Sequence, residues 1–272
     1  MIRLLKIELM KIGKYRAFWA MTILYLVAVS FIFFGFPSLI DYMAMQSEST
    51  QVKLLKNFIY NFPDVWQNLA WIASLRFFIK IFLAFIIIIL ITNEFSNGTV
   101  RSNIINGMSR LDFLSSKVSF IFLFSLLATL FIFISGLILG LIFSSTATFS
   151  AITRKLYYLG GYFVETFTYL SFALFLAMLI RKTGFAIAVL FVYPIIEIII
   201  QQKVNEQVAN FLPVNAMNRI LQTPNTSLIQ YTSPDSEIRL QTQIETGDVL
   251  VSIAYAVLFI LITYLIIRKR DL

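Results

Sequence analysis

Residues 93–117 read NEFSNGTVRSNIINGMSRLDFLSSK, and they lie between IFLAFIIIILIT (81–92) and VSFIFLFSLLATLFIFISGLILG (118–140). Both flanks are apolar enough for lipid, so the polar stretch between them must lie in water at one face of a bilayer. Within it, Asn97-Gly98 is a turn signal, and Thr99 is placed to cap a helix. Val100, Ile104 and Met108 recur every four residues, and Gly107 can end the helix in a left-handed conformation. The pattern predicts a two-turn helix over about Val100 to Asn106. Ile104 and Ile105 offer it an apolar contact surface, for a partner or for the membrane surface. A mere linker needs neither two caps nor an apolar face.

The rest of the chain shares the solvent of those flanks. Of its 272 residues 59% are hydrophobic and only 13% charged, against about 25% charged in an ordinary soluble domain. Six runs are read as spans, at about 17–36, 73–92, 118–143, 161–180, 184–200 and 249–267, and 1–272 is read as one transmembrane domain. The expected class is an all-α membrane protein.

Cysteine and histidine are both absent, which excludes disulfides, thiolate or imidazole metal sites, and His- or Cys-based catalysis. No GxxxxGK[ST] phosphate loop occurs, so the chain alone does not hydrolyse nucleotide in the P-loop manner. No nucleophile–base pair or metal cluster supports an intramembrane enzyme. The net charge of +8 lies at segment ends, so membrane topology explains it better than nucleic acid.

With both termini placed in the cytoplasm, 13 Lys and Arg fall on the inner side and seven on the outer, with Arg76 and Lys80 inside the second span. The positive-inside rule favours that orientation. Arg76 and Lys80 are read as snorkelling to the headgroups in preference to forming a buried pair. In MIRLLKIELMKIGKYR (1–16), Ile2, Leu5, Leu9 and Ile12 share a helical face opposite Arg3, Lys6 and Lys14. Such a segment suits a helix lying in the headgroup plane, or equally a plain basic flank of the first span. Short outer-surface helices are expected between spans five and six, around Pro213.

The order Glu94, Gly98-Thr99, Ser109-Arg110, Lys117 resembles the E-x3-G-T … SR … K pattern of type-two ATP-binding-cassette exporter permeases. The basic N-terminal segment, six spans, the RKTG turn at 181–184 and LPVNAMN (212–218) are similar to that family as well; NGMSR departs from its usual proline, and Gly107 supplies the break instead. The resemblance implies that the loop is a coupling helix docking on a separate ATPase, carried by Glu94, Gly98, Thr99, Arg101, Ile104, Ile105, Gly107 and Arg110. It implies an exporter in a bacterial cytoplasmic membrane, moving an amphipathic, peptide or lipid-like substrate. It further implies two ATPase copies, a second permease chain identical or paralogous, and ATP and magnesium held by the partner rather than by this chain. Glu94 is expected to brace two helices beside Arg101, or to be a solvated charge. Arg110 and Lys117 are expected to meet lipid phosphates or simply to obey topology.

Two acids remain near or inside the spans, Glu165 and Glu197. An acid near mid-membrane costs roughly 2.5 kcal/mol or more. Each is read as a group facing a pathway or an interface; for Glu197 the adjoining Gln201-Gln202-Lys203 favours a hydrated place at the outer boundary. The competing reading is a gradient-driven secondary transporter with Glu165 or Glu197 as proton carrier, although no internal repeat supports it.

Overall fold

The computed structural model describes residues 8–13, 15–47, 59–74, 79–145, 147–225 and 240–269. After a helical turn at 8–12, α1 (Arg16–Ser30) passes through a π-helical turn (Phe31–Gly35) into α2 (Phe36–Ser47). There follow α3 (Asp64–Ser74), α4 (Lys80–Ser96), α5 (Thr99–Ile105), α6 (Arg110–Phe143) and α7 (Phe149–Thr153). The remaining helices are α8 (Tyr157–Ile180), α9 (Thr183–Gln201), α10 (Glu206–Ala209), α11 (Pro213–Asn218) and α12 (Thr246–Lys269). Among the described residues five stretches are long and apolar enough to cross a bilayer, and α4 makes a sixth when joined to α5 across a 65° bend. The protein is a multi-pass helical membrane protein.

Spans three to six coincide with the apolar runs to within a few residues at most ends, and α6 reaches eight residues further toward the loop than the expected start at 118. The second does not. It was expected at 73–92, whereas α4 occupies 80–96, so its 17 residues rise only about 26 Å. Residues 73 and 74, where that span was expected to begin, instead end α3, most of which the sequence reading placed in an outer segment. In the structure α3 is a core helix, with Val65, Trp66, Leu69 and Ala70 wholly buried.

Glycine makes room for α3. Gly136 and Gly140 lie one turn apart on α6, and a Cβ at Gly136 would sit 2.7 Å from Trp66, while one at Gly140 would collide with Phe62. Trp66 stacks on Phe133 and donates its indole N–H to the Ile152 carbonyl at 2.6 Å. A GxxxG stripe commonly packs helix on helix in membranes; here it receives aromatic rings of its own chain. The π-helical turn is tied to the same region, because Tyr60 donates its hydroxyl to the Phe33 carbonyl at 2.9 Å.

α8 is the central span, packed by α3, α4, α6, α9, α11 and α12. α9 by contrast shows Phe185, Val192, Ile195 and Ile199 outward, as suits a helix facing hydrocarbon. One end of the bundle gathers residues 8–13, α5, the α8–α9 turn and the end of α12; the other gathers α3, α7, α10 and α11.

Candidate functional site

The loop helix forms close to its expected bounds, Thr99–Ile105. Gly98, with φ 65°, turns the chain out of α4, and Gly107, with φ 93°, closes α5. The Met108 N–H donates to Asn103 O and the Gly107 N–H to Ile104 O, both at 3.0 Å. These are the two bonds of a Schellman motif. Thr99 is not the cap; Gly98 takes that position without a side-chain bond, and Thr99 is the first helical residue. A left-handed backbone suits glycine there, and Thr99, already inside the helix, is past the position from which a side chain caps it.

The apolar face divides. Val100 is buried, while Ile104 and Met108 pack partly buried against the core. Ile105, rotated about 100° from Ile104, is 74% exposed. Arg101, Ser102 and Asn106 are exposed beside it. The element therefore has an inner face joined to the bundle and an outer face of mixed charge and hydrocarbon.

Beneath α5 lies a charge cluster drawn from three segments. Lys117 Nζ, on α6, donates to both Glu8 oxygens at 2.9 and 2.8 Å and to Glu94 Oε1 at 2.5 Å. Lys11 Nζ donates to the same Glu94 oxygen at 2.6 Å, and Ser116 Oγ to Glu8 at 3.3 Å. Glu8, Glu94 and Lys117 are each no more than 6% exposed. Two carboxylates and two ammonium groups balance in charge, which is what allows burial at all. The Glu94 oxygen Oε2 has no hydrogen-bond partner among the described residues.

This geometry corrects several expectations. Glu94 does brace helices, but through Lys117 and Lys11; Arg101 points to solvent. Lys117 does not meet lipid phosphate, being 4% exposed. Nor is Arg110 spent on the membrane: its guanidinium donates to the carbonyls of Ile267, at 3.1 Å, and Arg268, satisfying the orphan acceptors at the end of α12. In the first segment, Glu8 and Ile12 face inward and Leu9 is exposed, so the face grouping Leu9 with Ile12 is not the one observed; Ile2, Arg3, Leu5, Lys6 and Lys14 lie outside the described residues.

The same end is closed by the RKTG turn. Arg181 adopts φ 57° and lays its guanidinium over Phe95, 4.7 Å from the ring centroid. The Thr92 and Thr183 hydroxyls bond at 2.7 Å. Glu8 and Lys11 were missed as site residues in the sequence; the available signal was an acid set inside a basic amphipathic run.

Glu165 and Glu197 are brought neither to this site nor to each other. Lys80, expected to snorkel, is 3% exposed and forms a buried ion pair with Glu165; Asn218 Oδ1 accepts from Lys80 at 3.4 Å. Its neighbour Arg76 lies outside the described residues. Glu197 sits at the bundle end as expected, yet it is 2% exposed. The backbone N–H groups of Val214 and Asn215 donate to it at 3.0 and 2.5 Å, so the first turn of α11 replaces water.

A protein family described as "Protein of unknown function (DUF2705)" matches residues 39–272. A Bacillus subtilis (strain 168) protein, printed as "Uncharacterized protein YhcI", is 34% identical over 101 residues, covering 37% of this chain and 32% of that protein. The chain thus spans about a third of the length of the curated relative it matches.

Proposed function

The chain belongs to the DUF2705 family, and we propose that it is the transmembrane permease subunit of an ATP-driven exporter, with α5 as the element that docks on a separate ATPase. The observation that carries this reading is the pairing of a short α5, entered through left-handed Gly98 and closed by a Schellman turn, with an exposed outer face and a buried ionic brace at its base. A push on Ile105 and Arg101 would reach α4 through Glu94 and α6 through Lys117 together, because the cluster joins both ends of the polar loop. Glu8 and Lys11 extend the same link to the N-terminal segment.

The proposed assembly contains two permease chains and two ATPases, the ATPases holding ATP and magnesium and this chain contributing no catalytic group. Cytoplasmic placement of α5 and of both termini follows from the distribution of Lys and Arg. An amphipathic, peptide or lipid-like cargo remains the proposal for the substrate. The contacts of the two intramembrane acids favour this reading over a proton-coupled one. Glu165 is paired with Lys80, and Glu197 accepts from two backbone amides, so each acid has partners supplied by the fold itself.

The test is affinity purification from native membranes in mild detergent, comparing the parent with Ile105→Asp. The proposal expects a P-loop ATPase with the parent and its loss from a variant that inserts and melts as the parent does. Recovery of no ATPase from an intact parent, or equal recovery from both, would count against it.

A further inference from the structure

We propose that the end of the bundle opposite α5 carries a binding site for a saccharide, in a cavity of about 810 Å³ between α3, α11 and residues 240–248. That volume falls within the range of small-molecule sites, roughly 300–1,000 Å³. Most such sites are apolar, and this one is not. Six carboxamides line it, against three carboxylates and one guanidinium, with Trp71 on one wall.

The lining selects the ligand class. Carboxamides both donate and accept in fixed planar geometry, as neighbouring sugar hydroxyls require. Gln241 is spent on the backbone, and Asn210, Asn215 and Asn218 each keep one polar atom unspent among the described residues, beside Gln222 and Gln243. The indole of Trp71 offers a flat apolar surface with a polar edge, against which the C–H face of a pyranose can lie. An acyl chain finds too little hydrocarbon. An anion meets an excess of carboxylate, because the guanidinium of Arg219 is already committed to Asp248 at 2.9 Å and Asn210 at 2.5 Å.

The wall is rigid before any ligand arrives. Gln241 is 8% exposed, donates through Nε2 to Ile220 O at 2.9 Å and accepts the Gln222 N–H at 3.1 Å. Its carbonyl accepts from Gln67 of α3 at 2.8 Å. Gln243 and Glu245 are exposed and make no side-chain hydrogen bond or ion pair among the described residues, so they are available to a ligand.

The cavity is also connected to the spans. α11 supplies Asn215 and Asn218 to its lining, while the same helix receives Glu197 of α9 at its first turn and Lys80 of α4 on Asn218. Arg219, just beyond α11, reaches Asp248 of α12. A ligand held there bears directly on the contacts that tie three spans together. The inference stands independently of the ATPase reading.

The test is calorimetric titration of the full-length protein in lipid nanodiscs with two neutral trisaccharides, maltotriose and tri-N-acetylchitotriose, and with trilysine. The inference expects saturable binding of at least one saccharide. Gln243→Ala and Glu245→Ala should each weaken it about tenfold, the loss of roughly one good hydrogen bond, and Trp71→Phe should retain what Trp71→Ala loses. All four variants are to melt within the parent's range, and the two surface variants keep the test open should Trp71→Ala fail to fold. Silence with both saccharides, or binding indifferent to the variants, overturns the site. Trilysine binding lost in the same variants would assign the cavity to a cationic peptide and overturn the saccharide.

Discussion

Lys117 is the residue on which the loop end depends, because two carboxylates from different segments share its one ammonium group. Lys117→Met leaves buried Glu94 with Lys11 alone and buried Glu8 with only the Ser116 hydroxyl, and the expected loss is about 3–5 kcal/mol. Lys117→Arg, which keeps the charge, should retain most of that stability; thermal melting in nanodiscs measures both. Ile104 and Ile105 differ in the same way. Ile104→Asp places a charge against the core and should lower the melting temperature, whereas Ile105→Asp should not. Sequence paired the two isoleucines because both are apolar and adjacent. The spacing of Val100, Ile104 and Met108 already sets Ile104 on one face and Ile105 off it; that this face is the inward one is what the structure adds.

At the scale of elements, the long apolar runs were legible because lipid imposes one requirement over about 20 residues. The short second span was not. Its run at 73–92 is mostly hydrophobic, so composition gives no sign that its first two residues, 73 and 74, end the core helix α3. DVWQNLAWIAS does start with Asp after Pro63, a helix-start signal, and the Gly136/Gly140 pair on α6 marks a place of close approach. Their meaning emerged only when Trp66 and Phe62 filled the groove. Gly140→Val should overpack that groove at a cost of about 1–3 kcal/mol. Hydrogen exchange is expected to speed up over 59–70 while the α5 region keeps its protection; equal change at both ends would mean that α3 is not seated by the glycine stripe.

For the molecule as a whole, polar contacts hold the two ends of the bundle, and one buried ion pair, Lys80–Glu165, sits deeper. Each partner alone was visible in the sequence as a charge within a span, but the 85 residues between them concealed the pair. Glu165→Leu should strand Lys80 and destabilise by about 3–5 kcal/mol, and adding Lys80→Met should recover most of the loss. On the exporter account, the double variant in a reconstituted complex keeps an ATP-dependent activity, since neither group carries a proton through the cycle. Loss of all coupling in a double variant that melts normally would favour the gradient-driven reading.

The central claim is that α5 touches an ATPase. The chain has no cysteine, so Ile105→Cys introduces a single thiol on the exposed face, and Phe149→Cys, 82% exposed at the opposite end, serves as its control. A short thiol-to-amine cross-linker applied to native membranes, followed by mass spectrometry of the adducts, measures contact directly. The account predicts a P-loop ATPase joined to residue 105 and none joined to residue 149. Adducts at 105 containing only lipid or other membrane chains, with the protein intact, would contradict it.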